Sequence, residues 1–222
     1  LVCSYSYKYL TGFRYRNRFM ALCLGFTFSV MLLVISEHVG ILLLSWLSMG
    51  LFMSGLIGVD KDWGEAREAS AFTRRYFLTG SFFLSAGVLL LAFQSGVFTL
   101  GAVTDSLNTL PRHLVVLAAI CIIFAAIVQS AIYPFHRWLL SAMTAPTPAS
   151  ALMHAGFVNG AGILLALFAT VFFTSNTLSA LLIIGGLTAI IAQFTKLLQV
   201  NVKHRLACST MAQMGFMIMQ CG

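Results

Sequence analysis

Charge is what this chain most conspicuously lacks. Asp, Glu, Lys and Arg make up 9% of its 222 residues, where an ordinary soluble domain carries ~25%. Only six of the residues are acidic, and hydrophobic types account for 59%. With a mean hydropathy of +0.94, this composition excludes a freely soluble globule and describes an integral membrane protein. The apolar runs are far longer than the ~10 alternating residues of a barrel strand, so the spans are helical. Cysteine is sparse and unpaired in pattern. None of Cys3, Cys23, Cys121, Cys208 and Cys221 forms a Cys-x-x-Cys pair. That spacing argues against a zinc or redox site and leaves them as small hydrophobes. The chain shows no phosphate loop, haem motif, catalytic triad or dinucleotide fingerprint, so no catalytic centre and no cofactor are expected. The net charge of +7 would suit nucleic acid in a soluble protein. Here the bases flank apolar runs, so topology explains them and no nucleic-acid partner is expected. The chain opens on Leu1 and closes at Gly222, inside or just past an apolar run. We expect it to be a piece of a longer protein.

What is present is a series of hydrophobic segments. By the ~20-residue criterion for crossing a bilayer there are about seven, over 19–36, 39–59, 76–94, 113–132, 147–173, 178–198 and 204–220. A short apolar piece, 134–143, follows the fourth. The expected fold is an all-α, polytopic transmembrane bundle, a single partial domain over residues 1–222. Lys8, Arg14, Arg16 and Arg18 precede the first span. Lys61, Arg67, Arg74 and Arg75 lie between the second and third, Arg137 follows the fourth, and Lys203 and Arg205 lie between the sixth and seventh. With seven spans all of these fall on one side, and Arg112 falls on the other. The tendency of Lys and Arg to stay inside places the start of the chain in the cytoplasm. The mixed-charge stretch 60–75, DKDWGEAREASAFTRR, reads as a solvated connector, helical towards its end, or as a docking site for a soluble partner. The stretch 95–112 reads as an external turn region.

The segment Pro134–Leu165 is the most informative. It concentrates helix breakers, His136, Arg137, His154 and Asn159 among membrane helices. Pro134 lacks an N–H and disfavours helix at Tyr133, so 113–143 is expected to be one discontinuous helix broken at Tyr133–Pro134. In hydrocarbon, such breaks survive only when buried in protein or beside a wet cavity. Polar residues at that depth are first candidates for an ion path. His154 suits a proton relay because imidazole titrates near neutrality. It would equally serve as a hydrogen-bonded structural residue. Asn159 needs partners for its amide, whereas Gly156, Gly160 and Gly162 are accounted for by close helix approach. Gln129 lies just before the break. Lys196 either snorkels to the surface or, buried beside water, exchanges protons.

Two long motifs carry a family resemblance. PFHRWLLSAMTAPTPASALMHAG, from Pro134, resembles the broken seventh helix and the eighth helix of the antiporter-like subunits of respiratory complex I and of Mrp-type cation/proton antiporters. VKHRLACSTMAQMGFM, residues 202–217, resembles the next signature of that superfamily. The resemblance runs from about Phe13 to the end. It implies a piece of the antiporter-like fold, from roughly the third helix to the tenth. In the family's scheme a glutamate follows a tryptophan in the fifth helix and pairs with a lysine in the broken helix. Here Trp46 is followed by Leu47, and Gln129 aligns with the lysine. His154 matches the eighth-helix histidine, and Lys203 and Arg205 match the basic turn. PFHRWLL, SALMHAGFVNGAGILL, FTKLLQ and VKHRLACSTMAQMGFMIMQCG further resemble the membrane subunit of the DAB inorganic-carbon accumulation complex. That branch implies a proton- or sodium-conducting subunit in a bacterial inner membrane. Its partner would be a large soluble zinc protein related to carbonic anhydrases, which would hold the metal. The other implied assignment is a proton-translocating subunit of NADH:quinone oxidoreductase or of an Mrp antiporter, with other membrane subunits as partners. The expected ion path comprises His154, Lys196, Gln129, Asn159, His136 and Lys203.

Overall fold

The computed structural model describes residues 2–222. Among them there is no strand beyond an isolated two-residue bridge between His38 and Thr99. Twelve α-helices account for most of the chain: α1 (Val2–Tyr9), α2 (Arg16–Ile35), α3 (Val39–Ile57), α4 (Gly64–Ser95), α5 (Leu100–Asp105), α6 (Arg112–Gln129), α7 (Arg137–Ser141), α8 (Thr147–Leu152), α9 (Gly160–Leu167), α10 (Ala169–Ser175), α11 (Leu178–Leu198) and α12 (Val202–Gln220). Six stretches among the described residues are long and apolar enough to cross a membrane: α2, α3, α4, α6, Thr147–Leu167 and α11. Consecutive long helices pair closely, α2 with α3, α3 with α4, and α11 with α12, while α4 also packs on α6.

Small residues set these distances. A Cβ on Gly87 of α4 would lie 2.9 Å from the Ala118 carbonyl oxygen of α6. A Cβ on Gly215 of α12 would lie 2.7 Å from Gly185 O and 2.8 Å from Ala189 N of α11. Between helices in lipid there is little hydrophobic force, so such backbone approach and van der Waals contact hold the bundle together. Outward faces stay apolar. Leu24, Phe28, Met31 and Ile35 on α2, and Ile183, Leu187, Ile190 and Phe194 on α11, are exposed. A patch of that extent would aggregate a soluble protein but suits hydrocarbon.

The mixed-charge stretch is more regular than a connector. α4 begins at Gly64 and carries Arg67, Arg74 and Arg75 on its first turns before the apolar part. Residues such as Glu, Ala and Arg favour helix, and nothing between Gly64 and Tyr76 breaks it. At the opposite end of α3 and α4, Leu100 N donates to Glu37 O at 2.8 Å and Val39 N to Phe98 O at 2.9 Å. These bonds clamp the two connectors together.

Candidate functional site

The discontinuous helix is observed. α6 ends at Gln129, Ala131 takes a left-handed backbone (φ 54°), the Tyr133–Pro134 peptide is cis, and α7 resumes at Arg137. The freed backbone groups are paired inside the protein, as hydrocarbon requires. The buried Trp138 indole donates from Nε1 to Val128 O at 2.9 Å. Ile132 N donates to Ile127 O at 3.1 Å.

A second break lies opposite the first. The expected single span over 147–173 is divided: α8 gives way to a π-helical turn over Met153–Phe157, and α9 starts only at Gly160. No proline marks this interruption. A tertiary hydrogen bond braces its end. Ser130 Oγ, in the break of α6, donates to Val158 O at 2.8 Å and takes up a carbonyl that leaves the helical ladder. The two irregular segments therefore satisfy each other. Phe157 closes the space between them, its ring centroid 4.6 Å from Phe77 and 5.9 Å from Trp138, all three buried. Rings at such distances add ~0.5–1.5 kcal/mol per pair beyond contact area.

His154 lies in the π turn, half-buried. Its Nδ1 and the Thr210 hydroxyl share a hydrogen bond of 2.9 Å. Thr210 Oγ1 also reaches Leu206 O at 3.2 Å. A hydroxyl has one proton and can accept as well. When it donates to Leu206 O it accepts from a protonated Nδ1, and when it turns it donates to a neutral one. The neighbouring Ser209 faces another way, since successive helical residues diverge by ~100°. Its Oγ accepts from Lys196 Nζ at 3.4 Å, at the long end for a hydrogen bond. Thus α12 presents one hydroxyl to the imidazole and one to the ammonium. Lys203 Nζ donates to Met143 O at 3.4 Å, tying the first turn of α12 to the end of the broken helix. Asn201 caps that turn by accepting from Lys203 N at 3.0 Å.

The remaining sequence-derived residues are placed differently. Gln129 is 3% exposed, with Nε2 unpaired among the described residues. Asn159 satisfies its amide locally, donating to Ala155 O at 3.0 Å. His136 stacks on Tyr133 with centroids 5.4 Å apart, and its Nδ1 has no hydrogen-bond partner among the described residues. It joins neither hydroxyl pair. Leu47, after the buried Trp46, supplies no charge to α3. Ser130, Trp138, Ser209 and Thr210 were not singled out from sequence. The adjacent hydroxyls in an apolar run were the available signal, and a weak one, because Ser and Thr usually bond back to their own helix.

Comparison with known proteins fits this geometry. Residues 36–222 match the family model described as NADH:quinone oxidoreductase/Mrp antiporter, TM. The chain is 32% identical over its whole length to the probable inorganic carbon transporter subunit DabB of Bacillus subtilis, of which it covers 44%. It is 34% identical to DabB1 of Halothiobacillus neapolitanus, covering all of this chain and 41% of that one. It is 30% identical to NADH-ubiquinone oxidoreductase chain 5 of Cryptococcus neoformans, covering 34% of it. The chain thus spans less than half the length of these relatives. Among solved structures, the Mrp complex from Dietzia sp. DQ12-45-1b superposes with a TM-score of 0.85 at 25% identity over 91% of this chain and 22% of that one. The membrane-bound sulfane sulfur reductase, an archaeal respiratory membrane complex, shares the fold at a TM-score of 0.85 and 23% identity, over all of this chain and 48% of that one. With its broken helix, its membrane helices and a match over most of its length, the chain belongs to the NADH:quinone oxidoreductase/Mrp antiporter transmembrane family.

Proposed function

We propose that the protein carrying this chain is a proton- or sodium-conducting membrane subunit that energises inorganic-carbon uptake, with an ion path centred on His154. The observation that carries the reading is the hydrogen bond between His154 Nδ1 and Thr210 Oγ1 at 2.9 Å, inside a π turn that faces the helix break. A hydroxyl able to reverse its bond beside an imidazole is a workable proton relay. Lys196 and Ser209 extend the polar line, Lys203 sits at its basic end, and Gln129, Asn159 and His136 border the breaks. The carbon-uptake assignment is supported by the names of the DabB relatives and by the uncharged residues Leu47 and Gln129, where the family's scheme has a glutamate–lysine pair.

The proposed partner is a large soluble zinc protein of carbonic-anhydrase type. In this reading the zinc belongs to that partner. In this reading α12 is a seventh crossing, the membrane is a bacterial inner membrane, and the start of the chain is cytoplasmic. The flanking basic residues other than Arg112 then share the inner side.

The test is uptake of labelled bicarbonate or CO2 by cells expressing the full-length gene with its neighbour. Uptake should rise above that of cells lacking them. Unchanged uptake with the protein demonstrably in the membrane rejects the proposal. A second reading, a proton-translocating subunit of NADH:quinone oxidoreductase, is favoured by the chain 5 relatives. Neighbouring genes for the other subunits of that enzyme would support it, whereas one large soluble-protein gene alongside supports the first.

A further inference from the structure

At the end of the bundle where α2 begins, α3 finishes and α4 begins, a cleft of ≈550 Å³ opens between the three helices. Four cationic side chains line it, Arg18, Lys61, Arg67 and Arg74, and no carboxylate does. Arg67, Ser70 and Arg74 share one face of α4, by their i, i+3, i+7 spacing. The cleft floor is closely packed. Ser70 Oγ donates to Ser54 O at 2.6 Å, and a Cβ on Gly58 would lie 2.5 Å from Ser70 Cβ. Gly58 therefore lets the end of α3 settle against α4. All four cationic side chains are exposed rather than folded into the protein. Arg18 and Lys61 also border an adjoining hollow that contains Asp60 and Asp62, whereas Arg67 and Arg74 do not.

The depth of the cleft follows from helix length. α4 has 32 residues, about 48 Å at 1.5 Å per residue, well beyond the ~30 Å hydrocarbon core. Its apolar part after Arg75 is itself long enough to cross, so Arg67 and Arg74 lie at headgroup level. The wall continues towards the apolar region over the exposed Leu51 and over Gly55, both lining residues. The volume falls in the ~300–1,000 Å³ range of organic-ligand pockets. It far exceeds the need of a bare anion only a few times the size of a water, ~30 Å³.

We propose that this cleft binds the phosphate headgroup of an anionic phospholipid, with an acyl chain lying over Leu51 and Gly55. Arginine forks match phosphate oxygens in pairs, and the membrane surface supplies the ligand at high local concentration. The site is separate from the His154 path and does not depend on the transport reading.

The test titrates the purified full-length protein in detergent with phosphatidylglycerol and counts bound lipid by native mass spectrometry. Arg67→Gln/Arg74→Gln should weaken phosphatidylglycerol binding about thirty-fold, at ~1 kcal/mol per basic residue, and leave phosphatidylcholine binding unchanged. Equal retention of phosphatidylglycerol by the variant overturns the proposal. So does full displacement of the lipid by millimolar inorganic phosphate or bicarbonate, which would make this a free-anion site. Should the arginine pair fail to assemble, Lys61→Gln in the connector carries the test, with about fivefold weakening expected and no change contradicting it.

Discussion

His154 and Thr210 meet across two helices that are 56 residues apart in sequence. The imidazole alone has two occupations, relay or structural bond; the proposal takes the first, with Thr210 also bonding back to Leu206 O of its own helix. Replacing His154 by Ala should abolish coupled uptake while leaving membrane insertion intact. Thr210→Val, close in size but without the hydroxyl, should lower uptake at least several-fold without changing the amount of protein in the membrane. Uptake measured beside membrane-fraction blots checks both. Wild-type uptake by His154→Ala removes that residue from the proposed path. His154 was readable in the sequence as a polar group deep in an apolar run. Its partner was not, because a threonine in a helix is ordinarily satisfied by its own backbone. Asn159, whose amide needs a partner, finds one four residues back at Ala155 O.

Two interrupted helices and one tight crossing do most of the positioning. Ser130→Ala would leave Val158 O without its donor in the interior, at a cost of ~1–3 kcal/mol. The unfolding temperature of the purified protein should fall, and uptake should fall with it as the π turn loses its support. An unchanged unfolding temperature would mean that the two breaks do not brace each other. Gly215→Ala places a methyl group against the backbone of α11, and overpacking of that kind costs ~1–3 kcal/mol. A thermal-melt series in detergent should show it as clearly less stable than Gly186→Ala, whose added Cβ meets only the Met219 sulfur at 3.6 Å. The break after Gln129 was legible because Pro134 announces it. The π turn at Met153–Phe157 was not, because no proline falls there and the bond that braces its end comes from Ser130, in the other break. The beginning of α4 at Gly64 was also obscured. Hydropathy marks where the bilayer would start, whereas helix propensity decides where the helix does.

For the molecule as a whole, the sequence motifs led to the same family as the fold does. A broken helix, an opposed π turn and apolar outer faces fit an antiporter-like membrane subunit. The chain covers less than half of the relatives it matches. The loss of charge at Leu47 and Gln129 shifts the weight of the proposed path onto His154, Lys196 and the hydroxyls of α12. A path of that kind still has to draw on an ion gradient. The most direct test is labelled-bicarbonate uptake by cells expressing the full-length gene with its neighbour, before and after ionophores dissipate the proton and sodium gradients. The account predicts that uptake falls to the level of cells lacking the genes once both gradients are gone. Uptake that persists undiminished without either gradient would contradict it.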